Sequence, residues 1–189
     1  MKKELTRQLI HVSGILIILL EKIFDPIILM FICGLIVIMG ELIYKIDKKR
    51  YIPFFSTVLR SCRRSENEKG YIYFFIGVLI ALIIFNFNLN IANATIIILA
   101  LGDAASTLIG KKYGKIKLPY QKFKTLEGSI AFFIVGFLGA SLQVPILPAL
   151  FGALSGSIAE AYSPVDDNII IPIVSGTIMT LAIYFVGLS

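Results

Sequence analysis

Long apolar runs alternate with short polar stretches along the chain. Bounded by charge, the runs lie at about 5–24, 26–44, 70–87, 91–109, 127–143, 145–161 and 169–187. Each approaches the roughly 17 to 25 residues that a helix needs to cross hydrocarbon. An unpaired backbone group in lipid is costly, so each run must close its own hydrogen bonds as a helix, whereas barrel strands would read as alternation. The pattern predicts an all-α fold, a polytopic transmembrane helical bundle of about seven spans. The first, fifth and sixth runs are short enough that six spans or a re-entrant segment also fits. No polar stretch is long enough for a soluble domain, so residues 1–189 read as a single integral membrane catalytic domain.

Composition agrees: 57% of residues are hydrophobic, 16% are charged, and the mean hydropathy is +0.87, well outside the range of soluble domains. The start Met1-Lys2-Lys3 followed by an apolar run suggests a secretory signal, but no Ala-x-Ala site follows and Glu21, Lys22 and Asp25 come next. The first run is therefore expected to stay as a span. Cys33 and Cys62 show neither metal-ligand spacing nor a disulfide framework.

Charge sets the expected orientation. Of the 18 Lys and Arg residues, all but Lys22 fall in three segments: before or at the start of span 1, between spans 2 and 3, and between spans 4 and 5. Seven alternating spans put those segments on one side, which the positive-inside rule makes cytoplasmic, and put the C-terminus outside.

Ionisable residues that enter the runs collect at that same side. His11, Glu41, Asp103, Glu127, Glu160, Asp166 and Asp167 all sit at cytoplasmic ends, while the outer ends carry Glu21, Lys22, Asp25 and amides such as Asn86, Asn88, Asn90 and Gln143. Charge in hydrocarbon usually marks function. Carboxylates beside basic loops suit a metal-bound polyphosphate, because Mg²⁺ takes one or two carboxylates plus phosphate oxygens and lysines neutralise the rest. Several of these residues also have plainer explanations. Glu41 can snorkel or pair with a loop lysine, Asp166 can cap a helix, and His11 can be an interfacial histidine. Asp103 is harder to explain away, since Ile96-Ile97-Ile98-Leu99-Ala100-Leu101 precedes it and Ala104-Ala105 follows.

Gly102, Ser106, Gly110 and Gly114 recur every fourth residue, a ridge that lets a helix or a ligand approach the backbone. Asp103 and Thr107 are one turn apart and can share a pocket. The following Gly110-Lys111-Lys112-Tyr113-Gly114-Lys115 is not a Walker A loop, and no protein-kinase set or Rossmann glycine motif is present.

The segment from Leu101 through Gly102-Asp103 and Thr107 to Gly110-Lys111-Lys112-Tyr113-Gly114, followed by Lys124-Thr125-Leu126-Glu127-Gly128-Ser129, resembles the CTP-dependent lipid kinases. These are dolichol (polyprenol) kinase, phytol kinase and the CTP-dependent diacylglycerol kinase. Arg7-Gln8-Leu9-Ile10-His11 looks like that family's start, and Glu160-Ala161-Tyr162-Ser163-Pro164 with Asp166-Asp167-Asn168 and Pro172 looks like its C-terminal motif. Phosphatidate cytidylyltransferases carry a similar central pattern but add a Pro-Gly-His-Gly-Gly run, which is missing in a chain whose one histidine is His11.

The resemblance implies CTP as phosphoryl donor, Mg²⁺, and a membrane-embedded lipid alcohol of the polyprenol or dolichol type as acceptor, handled at the cytoplasmic face. On that reading Asp103, Asp166 and Asp167 hold the metal. Lys111, Lys112 and Lys124 meet the triphosphate, with Gly102, Thr107, Gly110, Gly114, Thr125 and Gly128 shaping the nucleotide site. Glu127 holds a second metal or orders its loop, and His11, Glu160 and Asp103 are the candidate proton acceptors. The alternatives are a CDP-lipid synthase and a small membrane transporter; against the latter, the charges lie at one face rather than the midplane and no repeat relates the halves. No nucleic-acid partner is implied, and the sequence leaves the oligomeric state open.

Overall fold

The computed structural model describes residues 2–61, 69–119, 121 and 123–187. Cys62, Arg63, Arg64 and Lys122 of the basic segments, and the C-terminal Ser189, lie outside the described residues. Within them every regular element is helical, and the only extended pairing is an isolated bridge between Lys117 and Thr125.

The expected spans correspond to helices whose starts have local causes. Helix α1 covers Lys2–Val12 and α2 covers Ile15–Leu20. The run at 5–24 is therefore interrupted, by a turn in which the Gly14 amide bonds back to the His11 carbonyl at 3.0 Å. The Phe74 ring packs so closely on that turn that a Cβ at Gly14 would sit 2.7 Å from it. Asp25 accepts from the Ile27 amide at 2.8 Å and Pro26 occupies the first turn, opening α3 (Pro26–Asp47). A short helix, α4 (Pro53–Ser61), lies in the segment read from the sequence only as a basic loop. Helix α5 covers Gly70–Ile84. Asn88 caps α6 (Leu89–Ile97), which runs through a π-helical turn, Ile98–Gly102, into α7 (Asp103–Tyr113). Thr125 caps α8 (Leu126–Ala140), α9 covers Ile146–Tyr162, and Asp166 caps α10 (Asp167–Val186).

Three of these helical stretches are long and apolar enough to cross a membrane: Pro26–Asp47, Leu89–Tyr113 and Asp167–Val186. Gly70–Ile84, Leu126–Ala140 and Ile146–Tyr162 are apolar but shorter.

Helix α6 forms the centre of the bundle. Ala92, Ala94, Ile96 and Ile97 are buried in it and Ile98, Leu99 and Ala100 in the π turn that follows, against α5, α8 and α10, while α9 packs across α8 and α10. Helix α3 lies at the edge, against α5 and α4. The π turn adds a residue to the helical turn just before Asp103, a distortion often found where a side chain must be aimed at a site.

Candidate active site

The carboxylates gather where α7 begins and where α9 ends beside the start of α10. One oxygen each from Asp103, Glu160 and Asp167 lies within 4.8 Å of the others. Asp103 and Glu160 are buried and Asp167 is partly exposed. Charges of one sign this close require cations or a metal. Lys124, from the α7–α8 loop, supplies one cation: its Nζ bonds to Asp167 Oδ2 at 2.7 Å and also to Glu160 Oε1. Burial would pull the Lys124 ammonium down, but Asp167, Glu160 and Asp103 more than offset that and hold it well above the usual lysine range.

Two neighbours fix the carboxylates. The Ser106 hydroxyl donates to Glu160 Oε1 at 2.8 Å. His11 Nδ1 lies 3.2 Å from Asp103 Oδ2, and the His11 ring is tilted against Phe74 with centroids 4.5 Å apart. Both members of the His11–Asp103 pair are buried, and it joins α1 to α7. Glu160 Oε2 is buried and has no hydrogen-bond partner among the described residues.

Beside this group opens a cavity of about 470 Å³, lined by Ser106, Thr107, Gly110, Lys111, Gly114, Lys117, Phe123, Lys124, Thr125, Gly128 and Glu160. Most of the residues proposed from the sequence for a nucleotide therefore share one cleft. Its floor exists because two glycines let α7 and α8 touch: a Cβ at Gly128 would lie 3.0 Å from the Ser106 carbonyl and 3.4 Å from Gly110 Cα. The ridge of small residues thus serves helix packing and shapes the cleft together. Gly102 packs beneath the Phe132 ring, away from the cleft lining.

Other expected residues are placed differently. Asp166 turns to its own helix end, accepting from the Asn168 amide at 3.1 Å and its side-chain amide at 2.8 Å; burial raises its pKa. Asp167 is thus the member of the pair that joins the carboxylate group. Glu127 accepts from the amides of Lys115 at 2.9 Å and Ile116 at 3.2 Å, which fastens the α7–α8 loop. Lys112 lies over the Tyr113 ring at 4.8 Å and is not part of the cleft lining. Lys111 reaches across to pair with Glu4 of α1, which also pairs with Arg7 at 2.7 Å. Ser106, Glu4, Lys117 and Phe123 were not singled out for this chemistry. Ser106 had one signal, its place on the Gly102–Gly114 ridge beside Asp103.

Similarity to known proteins fits this arrangement. An uncharacterised protein of Methanocaldococcus jannaschii is 37% identical over 179 residues, covering 91% of this chain and 90% of that one. A chloroplastic protein of Triticum aestivum named "Probable phytol kinase" is 29% identical over 135 residues, 62% of this chain and 45% of its own length. The CTP-dependent diacylglycerol kinase 1 of Schizosaccharomyces pombe is 30% identical over 139 residues, 61% of this chain and 63% of its own. The chain thus spans less than two thirds of the length of either named kinase. No family model and no solved structure matches it.

Proposed function

We propose, for a chain that belongs to the family of the phytol kinases and the CTP-dependent diacylglycerol kinase, that it transfers the γ-phosphate of CTP to the hydroxyl of a membrane-embedded isoprenoid alcohol, of the polyprenol or dolichol type. The observation that carries this reading is one cleft in which Lys111, Lys117 and Lys124 converge beside Asp103, Glu160 and Asp167. The cleft lies at one end of a bundle otherwise made of apolar helices. Phosphoryl transfer asks mainly for positioning and charge neutralisation, and this is what the cleft offers.

The donor set suits Mg²⁺, being hard carboxylate oxygens close together, with Glu160 Oε2 buried and without a partner among the described residues. Asp103, Asp167 and Glu160 would hold it, and it would supply charge neutralisation at the phosphates. Lys124 and Lys111 bind and orient the triphosphate, helped by Lys117. Glu127 keeps the loop that carries Lys117 and Lys124 in place through its bonds to Lys115 and Ile116. The alcohol oxygen attacks the γ-phosphorus, the bond to the bridging oxygen breaks, and CDP leaves. The hydroxyl proton passes to His11, whose Nδ1 lies 3.2 Å from Asp103 Oδ2. An acceptor with a long apolar tail enters between helices with its hydroxyl at headgroup level, which accounts for a kinase made almost entirely of membrane helices.

We place this site at the cytoplasmic face of a multi-pass protein, because 17 of the 18 basic residues lie in three segments that seven alternating spans put on one side, the side at which the ionisable residues of the apolar runs also fall. A C-terminal reporter active only in the cytoplasm would overturn that orientation and the odd number of spans.

Purified protein in detergent, given γ- and α-labelled CTP with polyprenols, dolichol, farnesol, phytol and diacylglycerol, tests the reaction. Transfer of the γ-label to an alcohol with release of CDP is the expected result. Transfer of the α-label to phosphatidate with release of pyrophosphate would make the protein a CDP-lipid synthase. No transfer with any of them would sink the enzyme reading.

A further inference from the structure

Helix α4 takes no part in the cleft, yet its surface is unusual for so short an element. Phe54 is 72% exposed, Phe55 is 48% exposed, and Tyr51 just before the helix is 51% exposed. Nine residues are far too few to cross hydrocarbon, which takes about 20. The helix is nevertheless held firmly. Arg60 donates to Asp47 at the end of α3 at 3.1 Å and stacks over the Tyr51 ring at 5.1 Å. Tyr51 and Thr57 share a hydrogen bond of 2.7 Å, and the Ile52 amide donates to the Ser56 hydroxyl at 2.8 Å. The aromatics are therefore displayed by a fixed support.

Position and charge identify what covers them. Helix α4 begins six residues after α3 ends, and α3 is a candidate span whose outer face carries exposed Leu35, Ile38, Met39, Leu42 and Ile46. The aromatics thus continue an apolar surface at the depth where a bilayer passes from acyl chain to headgroup. Lys45 in the last turn of α3 and Lys48, Lys49 and Arg50 between the two helices are exposed, and Lys49 and Arg50 make no ion pair among the described residues. An apolar aromatic face beside a basic edge is the signature of a helix lying in a membrane interface, and the basic edge selects anionic headgroups.

We propose that α4 is an interfacial helix that inserts Phe54 and Phe55 below the headgroups of the membrane and gathers anionic phospholipid with Lys49 and Arg50. This inference is independent of the proposed kinase reaction. Each basic residue at an anionic surface is worth about five-fold in local lipid enrichment, so the pair has a measurable signature.

The chain contains no tryptophan, so Phe54→Trp gives a single probe in the full-length protein. It would be reconstituted in phosphatidylcholine bilayers with and without phosphatidylglycerol, using lipids brominated near the carbonyl or near the chain end. The expected result is blue-shifted emission quenched mainly by the shallow bromines. Phosphatidylglycerol should deepen the quenching, and the double change Lys49→Gln with Arg50→Gln should abolish that dependence. Phe31→Trp, on the 71% exposed α3 position, serves as the deep reference. Phe55→Trp replaces Phe54→Trp should the latter fail to reconstitute. Water-like, unquenched emission from both α4 probes would overturn the proposal. So would a blue shift that vanishes on dilution with excess lipid, which would mean that a second copy covers the helix. Equal quenching with and without phosphatidylglycerol would remove the anionic selectivity.

Discussion

Helix α3 and the α6–α7 stretch are both long, apolar and able to cross a membrane, yet 17% of the most apolar part of Pro26–Asp47 is buried against 78% for Leu89–Tyr113. The exposed helix is also the more apolar of the two. In water the relation would be reversed, because burial follows apolarity there. In a bilayer the lipid is itself an apolar solvent, so what draws a helix to the centre is close packing and polar contact. The α6–α7 stretch brings both: alanines and glycines that admit neighbours, then Asp103 and Ser106 meeting His11 of α1 and Glu160 of α9. Helix α3 brings large aliphatic side chains suited to lipid and a polar rim.

The most severe test of this contrast is Asp103→Asn. It keeps size and hydrogen bonding while removing the charge at the centre of the buried stretch. Losing an anchoring carboxylate should cost about 3 to 5 kcal/mol in the transition state, or roughly two to four decades in rate. The purified variant should still elute as a single species. Near-normal lipid phosphorylation would mean that the buried stretch carries packing groups alone.

A finer test separates two adjacent carboxylates. Asp167 bonds to Lys124 and joins the acidic group, whereas Asp166 caps α10. Asp167→Asn should lower kcat/KM by roughly one to two decades. Asp166→Asn should leave the rate within a few-fold and lower stability by at most about 1 kcal/mol, since Asn caps nearly as well as Asp. The reverse order would move the metal ligand to Asp166 and exclude Asp167 from the site.

The sequence shows some of this and conceals the rest, for reasons that lie in particular residues. Six of the seven apolar runs correspond to one continuous helical stretch each, since charge and caps such as Asp25-Pro26, Asn88 and Thr125 delimit them locally. The seventh, at the N-terminus, is divided where Phe74 of α5 packs against Gly14, a contact no local pattern announces. Asp103, Glu160 and His11 stand out because charge is expensive in apolar surroundings, whereas Lys124 lies in a basic loop and is marked by the family resemblance. Which of Asp166 and Asp167 turns inward depends on which one caps the helix, and two adjacent aspartates look alike in a sequence. Ser106 was legible only as a small residue, because its bond to Glu160 joins helices 54 positions apart. Helix α4 was hidden inside a run of basic residues that reads as loop.

Glycines offer a stability version of the same comparison. A Cβ at Gly128 would press on the Ser106 carbonyl at 3.0 Å, where α7 meets α8, whereas a Cβ at Gly34 on α3 meets nothing within 4 Å. Gly128→Ala should therefore destabilise by about 1 to 3 kcal/mol through overpacking. Gly34→Ala should be neutral or stabilise by up to about 1 kcal/mol through helix propensity. Thermal unfolding in one detergent reads both. A large loss at Gly34 would show that its face packs against protein instead of lipid.

The smallest effect is expected at the polar rim of α3, where Lys69 Nζ bonds to both oxygens of Glu41 at 2.8 Å. Both distances are short, but the side chains are 27% and 31% exposed, so water and salt screen the attraction. Glu41→Gln should cost no more than about 1 kcal/mol, and less at high salt. The hydrogen bond to Glu41 leads in raising the Lys69 pKa above its ordinary value of 10.5, with burial acting the other way. A raised lysine contributes stability that is fully present below about pH 10.5 and is lost as pH climbs through the folded value. The wild-type chain should therefore lose a small increment of stability on the alkaline side that Glu41→Gln lacks, while the two should show the same dependence between pH 6 and 9. If Glu41→Gln instead abolished phosphoryl transfer at neutral pH, the rim of α3 would belong to the site, and the division between a lipid-facing helix and a catalytic one would fail.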